Sequence, residues 1–299
     1  MSSSLAGQAA CLSAALLWAI AVSLFRRPIE KYGAPTVNLA KCLVATLLQC
    51  ITVWALGLGD TLWAAPAGGV ALLAASGVVG LTLGDTALFG AVARIGVHRT
   101  LLLQTLSPLF AAIIAYLWLG ERTTMQQAAG ALLILAGIAL VVAPRGAGET
   151  SKAADGAGWG LLLGLIAAFG QGSGLVLAKV GMGEIHILAA SCLRLGAAAI
   201  GLALIGLLAG RFGRLRELSI DRPALGRTLP AIFLGTYLAL FLMMAGIAHA
   251  PAAVAAVLLA TPPVFSLFIE AYVDKQPIRL NGLAGTLLAV AGVALLSAG

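Results

Sequence analysis

The sequence predicts an all-α membrane protein: ten transmembrane helices, arranged as two five-helix repeats inverted relative to one another. Three observations predict it. The 299 residues are 61% hydrophobic and only 10% charged, against about 25% charged in an ordinary soluble domain. The two halves of the chain repeat one another, and their Lys and Arg residues change loops between the halves. A spanning helix takes roughly 20 mostly apolar residues, so this apolar content nearly supplies ten spans and excludes a soluble globule. Abundant Ala and 37 Gly suit helices packed closely in lipid, not the short alternating stretches of a membrane barrel.

Turn residues and charges mark the spans in order. The first, 5–25, has no basic residue before it and Arg26, Arg27 and Lys31 after it, so it reads as a retained helix and not a cleaved signal peptide. Spans follow at 34–56, at 68–95 (long enough that Gly84-Asp85 is expected to break it), at 101–119 and at 125–143. Residues 144–156 (PRGAGETSKAADG) have the polar, Gly-rich composition of an exposed linker. They divide the chain into one repeat at 1–143 and a second at 157–299, whose spans are 158–178, 187–208, 229–248, 251–273 and 280–297.

The last span of each half carries the repeat most clearly. AAGALLILAGIAL at 128–140 aligns with LAGTLLAVAGVAL at 283–295, and Ser107-Pro108 falls on Pro262-Pro263 without a gap. Farther upstream Gly84 pairs with Gly235 and Lys41 with Arg194. An odd number of spans per copy inserts the second copy upside down, so basic residues should swap loops. They do: 14 of the 18 Lys and Arg fall on one side, Arg122 and Lys179 on the other, and Lys41 and Arg194 within spans. Positive loops stay in the cytoplasm, which places both termini outside. The net charge of +7 therefore reads as topology with lipid as partner, and no nucleic-acid partner is expected. Cys11, Cys42, Cys50 and Cys192 lie in apolar runs without metal-ligand spacing, as small core residues would.

The run from Ser107-Pro108 to Leu119-Gly120-Glu121-Arg122, followed by Gly130 to Gly137, resembles the EamA-type repeat of the drug/metabolite transporter superfamily. Two such copies cover essentially the whole chain. In the second, Asp274-Lys275-Gln276 stands where the Gly-Glu would be, so Glu121 reads as a helix-end residue and not a functional one. The resemblance implies a secondary transporter in a bacterial cytoplasmic (inner) membrane, with a central cavity formed by the first four helices of each copy and peripheral fifth and tenth helices. It implies alternating access without ATP or any cofactor, and no Walker-type loop is present. Many bacterial relatives export amino acids, aromatic ones included, or related metabolites.

Charges within spans are costly and mark candidate functional positions. Lys41 and Arg194 offer pseudo-symmetric positive charge to a substrate carboxylate, or else snorkel to the nearer interface. Asp85 is either a proton carrier, or a structural residue that caps the helix after Gly84 or pairs with Lys41. Its counterpart stretch, Thr236-Tyr237, has no acid. Glu270 reads as an interfacial charge. Pro108 and Thr261-Pro262-Pro263 each free a carbonyl mid-span. Gln104, Ser107, Gln171, Ser173 and Thr261 are polar in apolar surroundings, while Trp18, Phe89, Phe169, Tyr237 and Phe265 offer bulky walls. A pocket drawing on both sets would suit a small amphipathic zwitterion. Gly160/Gly164, Gly170/Gly174 and Gly206/Gly210 read as helix-contact faces.

The leading reading is a metabolite exporter, with amino acids as the first substrate class. Efflux of cationic drugs would favour a deep carboxylate, and the first and sixth spans contain none; transport of nucleotide-type metabolites stays open. An intramembrane enzyme is a poorer fit, because His98, His186 and His249 are expected in loops and no nucleophile, base or metal-ligand cluster occurs together.

Overall fold

The computed structural model describes residues 2–119, 124–142, 154–183, 185–208, 210, 212–249, 258–273 and 280–297, and among these all regular structure is helical. Helix α1 (Ser2–Tyr32) stops at Gly33, whose positive φ of 85° is cheap only without a Cβ. Helix α2 (Ala34–Ala55) restarts at once with Pro35 in its first turn, where a missing N–H costs nothing. A short α3 (Gly59–Trp63) leads to α4 (Ala67–Ser76), a π-helical stretch over Gly77–Gly84, and α5 (Asp85–Ile95). Then come α6 (Val97–Gln104), α7 (Ser107–Leu119) and α8 (Met125–Val142). The C-terminal half comprises α9 (Ala154–Met182), α10 (Ile187–Leu208), α11 (Phe212–Ile220), α12 (Arg222–Ala231), a second π-helical stretch over Ile232–Leu238, α13 (Ala239–His249), α14 (Pro262–Val273) and α15 (Leu280–Ser297).

Among the described residues seven helical stretches are long and apolar enough to cross a membrane: Leu5–Tyr32, Ala34–Ala55, Ala67–Ile95, Val97–Ile114, Gly156–Met182, Ile187–Leu208 and Arg222–Met243. Ala128–Leu140 and Leu280–Leu295 are shorter apolar helices. The first part of the span expected at 251–273, most of the 144–156 linker, Gly120-Glu121-Arg122 and Asp274-Lys275-Gln276 lie outside the described residues.

The break expected at Gly84-Asp85 does not occur. Both residues are right-handed helical, with φ/ψ of −61/−53° and −71/−30°, and the chain absorbs an extra residue in the π-helical stretch before them. Breaking a helix in lipid would strand up to four N–H and four C=O groups, whereas a π-bulge keeps most of them paired. The second π stretch lies at the corresponding place in the other half, around Gly235. At Pro108 the chain does break. Thr105 and Leu106 close tight turns onto Leu102 and Leu103 (both N···O 3.0 Å) because proline donates nothing to the Gln104 carbonyl. Thr261 closes a matching turn onto Leu258 ahead of Pro262-Pro263 (3.3 Å).

Packing is reciprocal between the halves. Helix α9 lies against α4, the first π stretch, α5, α6 and α7, while α1 lies against α12, the second π stretch, α13 and α14. Glycine makes both approaches close. A Cβ on Gly170 would sit 3.0 Å from Gly84 Cα, and one on Gly235 would collide with Ala21 Cβ. The aligned helices α8 and α15 pack on each other antiparallel. Gly137 faces Gly285 and Ala289, and Gly292 faces Gly130 and Ile134. Helices α2 and α10 also run antiparallel, Thr46 beside Gly196 and Cys50 beside Cys192. Of the expected glycine contact faces, Gly160, Gly164, Gly170 and Gly174 all meet another helix; Gly210 does not, having a φ of 62° and no atom near its missing Cβ.

Candidate functional site

The site forms where α2, the first π stretch and α5 meet α9 and α10. Lys41, two turns into α2, is 1% exposed, and Asp85, the first residue after the π stretch, is 2% exposed. Lys41 Nζ donates to Asp85 Oδ2 as a buried salt bridge. Asp85 Oδ1 accepts from Gln171 Nε2, which reaches across from α9 and also donates to the Gly80 carbonyl at 3.4 Å. Asn38, one turn before Lys41, donates through Nδ2 to the Leu81 carbonyl (2.7 Å) and to Thr86 Oγ1 (2.9 Å). Carbonyls loosened by the wide turn thus find side-chain donors, as a low-dielectric interior demands.

Arg194 on α10 completes the charge set. Its backbone carbonyl lies where a Cβ on Gly77 would be, and its guanidinium is 3.8 Å from the corresponding point on Gly80. Its Nε is buried without a hydrogen-bond partner among the described residues. The guanidinium thus lies beside the π stretch that leads into Asp85, whose carboxylate Lys41 already engages. That leaves one positive charge in excess, with a planar fork suited to an incoming carboxylate. Of the structural readings of Asp85, the salt bridge to Lys41 is observed.

The other expected residues are placed as follows. Phe89 is fully buried, tilted at 43° against Phe25 (ring centroids 5.1 Å) and under Lys41 Nζ at 5.4 Å; it supports the ion pair and is not a wall open to a ligand. Gln104 has a buried Nε2 without a partner among the described residues, and the Ser107 carbonyl would lie 2.6 Å from a Cβ on Gly172, one residue from Gln171. Thr261 spends its hydroxyl on the Leu258 carbonyl (2.6 Å), the usual local bond of a threonine at a helix break. Trp18 packs near Gly235, and Tyr237 shares a hydrogen bond with Thr52 Oγ1 (2.7 Å). Lys41, Asp85, Gln171 and Arg194 converge; Trp18, Tyr237 and Thr261 hydrogen-bond or pack elsewhere. Ser173 is bonded to the Phe169 carbonyl (2.7 Å).

Sequence reasoning missed a polar seam running from Lys41 along α2. Gln49 Nε2 donates to Ser191 Oγ on α10 (3.1 Å), while Gln49 Oε1 and Thr46 Oγ1 are buried without partners among the described residues. The signal was available, because Lys41, Ala45 and Gln49 repeat every fourth residue and so share a helix face.

Near the basic loops, two further contacts join the halves. Glu270, expected as an interfacial charge, accepts the backbone N–H of His98 (3.0 Å) and so caps α6, whose preceding residue Gly96 has no side chain to do so. His98, expected in a loop, is a buried helical residue whose Nδ1 faces the Pro263 carbonyl at 3.1 Å. The Lys31 ammonium donates to Asp221 Oδ2 (2.6 Å), as does the Tyr32 hydroxyl. Those hydrogen bonds, with the backbone N–H of Ala224, hold the Asp221 carboxyl down at about 2. Among the described residues no group of three or more His, Cys, Asp or Glu is placed to hold a metal ion.

Comparison with known proteins places the chain as a whole. The model of the EamA-like transporter family matches residues 5–143 and 158–298. Over 129 residues the chain is 26% identical to a protein of Streptantibioticus cattleyicolor named "Probable terminal-alkyne amino-acid exporter". That match spans 43% of this chain and 42% of the relative. A protein crystal structure superposes on 99% of this chain and 95% of its own, with 18% identity and a TM-score of 0.63, a likeness of fold.

Proposed function

We propose, from the premise that this chain belongs to the EamA-like transporter family and is a multi-pass membrane protein, that it exports small carboxylate-bearing metabolites, amino acids first, across a bacterial cytoplasmic membrane. Its two halves act as inverted five-helix repeats with both termini outside, rocking against one another in alternating access without ATP. The antiparallel packing of α8 on α15 and the reciprocal seating of α1 and α9 support inversion. The family is one of transporters, and no step in this reading requires catalysis.

One observation carries the substrate class: the buried cluster at the meeting of the halves has two cations for one carboxylate, and Arg194 is the cation without an ion-pair partner among the described residues. A substrate carboxylate would complete it. A cationic drug would meet the opposite arrangement, since Asp85 already accepts from Lys41 and Gln171. The exporter name of the S. cattleyicolor relative supports the same class.

The test is efflux of a labelled amino-acid panel from proteoliposomes holding the parent, Lys41→Ala, Asp85→Asn or Arg194→Ala. Movement of at least one amino acid by the parent, lost in Arg194→Ala, is expected. Movement of organic cations but of no amino acid would overturn the reading.

A further inference from the structure

Cys50 and Cys192, which the transport reading does not use, meet across the two halves. Their sulfur atoms are 3.0 Å apart, across 142 residues of sequence, Cys50 on α2 and Cys192 on α10. Both are free thiols. A disulfide needs sulfurs near 2.0 Å with Cα atoms roughly 4.4–6.8 Å apart, so a shift of about an ångström joins them without moving either helix far. Each lies five residues from a helix end, Ala55 for Cys50 and Ile187 for Cys192. At 1.5 Å per residue that is about 8 Å from the same rim. Cys50 is partly exposed there and Cys192 is buried behind it, the arrangement of an attacking thiol with its resolving partner.

We propose that Cys50 and Cys192 form a redox modification site, whose oxidation to a disulfide staples α2 to α10 and so holds that rim of the protein shut. The Cys50 thiolate attacks one sulfur of an external disulfide and releases the other as a thiol. The Cys192 thiolate then attacks Cys50 Sγ in the mixed disulfide and releases the second thiol. Two protons leave the protein, its two thiols are oxidised by two electrons, and one external disulfide is reduced to two thiols. Neighbouring contacts keep the pair in register: Gln49 bonds Ser191 on the flanking positions (3.1 Å), and Thr52 bonds Tyr237 (2.7 Å). Any rocking of one half against the other must open or shear this contact, and a covalent bond across it forbids that.

Only the compartment rests on the orientation proposed above. The connection between α2 and α4 and that between α9 and α10 contain no Lys or Arg, so this is the side away from the 14 basic residues. It is the oxidising side of a bacterial inner membrane.

The experiment needs no substrate. The full-length protein in proteoliposomes is treated with oxidised glutathione, alkylated, and read by intact-mass and peptide mass spectrometry, with hydrogen exchange of peptides from α2 and α10 in parallel. The expected result is loss of two alkylatable thiols, a peptide linked through Cys50 and Cys192, and exchange at the rim slowed about tenfold. All three should reverse with dithiothreitol, and the slowing should be absent in Cys50→Ala and Cys192→Ala. Four thiols still alkylatable, a stable glutathione adduct in place of the internal link, or a link that leaves exchange unchanged would each overturn the proposal. Failure of amino-acid efflux leaves this outcome untouched, so the two readings fail separately.

Discussion

Lys41 and Asp85 form a salt bridge with side chains 1% and 3% exposed, and Gln171 from the other half donates to the second oxygen of the same carboxylate. An ion at the middle of a spanning helix costs roughly 2.5–3.5 kcal/mol on insertion scales, so neither charge would persist there alone. The pair is a structural lock whose two charges cancel.

Removing one partner leaves the other buried and uncompensated. Lys41→Met and Asp85→Leu, made singly, are each expected to destabilise the folded protein by about 3–5 kcal/mol. The double variant should recover most of that loss while transport stays abolished. Thermal unfolding in detergent, combined as a double-mutant cycle, measures the coupling; single losses that simply add would contradict it.

Gly77 has a different kind of importance. A methyl group there would collide with the Arg194 carbonyl, backbone against backbone, so the clash cannot be relieved by turning a side chain. Gly77→Ala should shift α10, weaken substrate binding at Arg194, and cost about 1–3 kcal/mol from overpacking. Gly68→Ala, where a Cβ meets nothing within 4 Å, is the control and should behave as the parent.

How much of this was legible in the sequence differs from residue to residue. Lys41, Asp85 and Arg194 were visible because charge in an apolar run has few benign explanations. The Pro108 break was visible because proline's missing N–H acts locally. The π stretches were not, since their cause is the seating of Gly84 on α9 and Gly235 on α1, contacts between segments far apart in the chain. Glu270 capping α6 was hidden for the same reason. Phe89 looked like a ligand wall because an aromatic ring on a span carries no mark of which way it faces.

Glu270 joins the halves by accepting the backbone N–H of His98. Glu270→Ala should remove the cap of α6, at a cost of about 1 kcal/mol, and speed hydrogen exchange at residues 97–100. Glu270→Gln keeps an acceptor oxygen and should lose only the smaller part that comes from charge at a helix N-terminus. Equal exchange in all three proteins would contradict the capping role.

The Lys31–Asp221 contact sets a pH window. Asp221 titrates at about 2, below its ordinary 3.8, because Lys31, Tyr32 and the Ala224 N–H favour its charged form. A depressed folded-state value means the stabilisation is complete above the ordinary value and is lost as pH falls through about 2. Asp221→Asn should therefore lower the melting temperature of the parent at pH 7 but leave little difference near pH 2. A gap of the same size at both values would contradict this.

The most direct measurement compares an amino acid with the amine formed by its decarboxylation, as competing labelled substrates in proteoliposomes of the parent and of Arg194→Gln. Losing a charge-assisted bond worth about 1.5–3 kcal/mol corresponds to roughly ten- to hundredfold in binding. The account predicts that the parent moves the amino acid and not the amine, and that Arg194→Gln loses the amino acid by about that factor. Equal transport of both by the parent, or an Arg194→Gln protein that moves the amino acid at the parental rate, would contradict it.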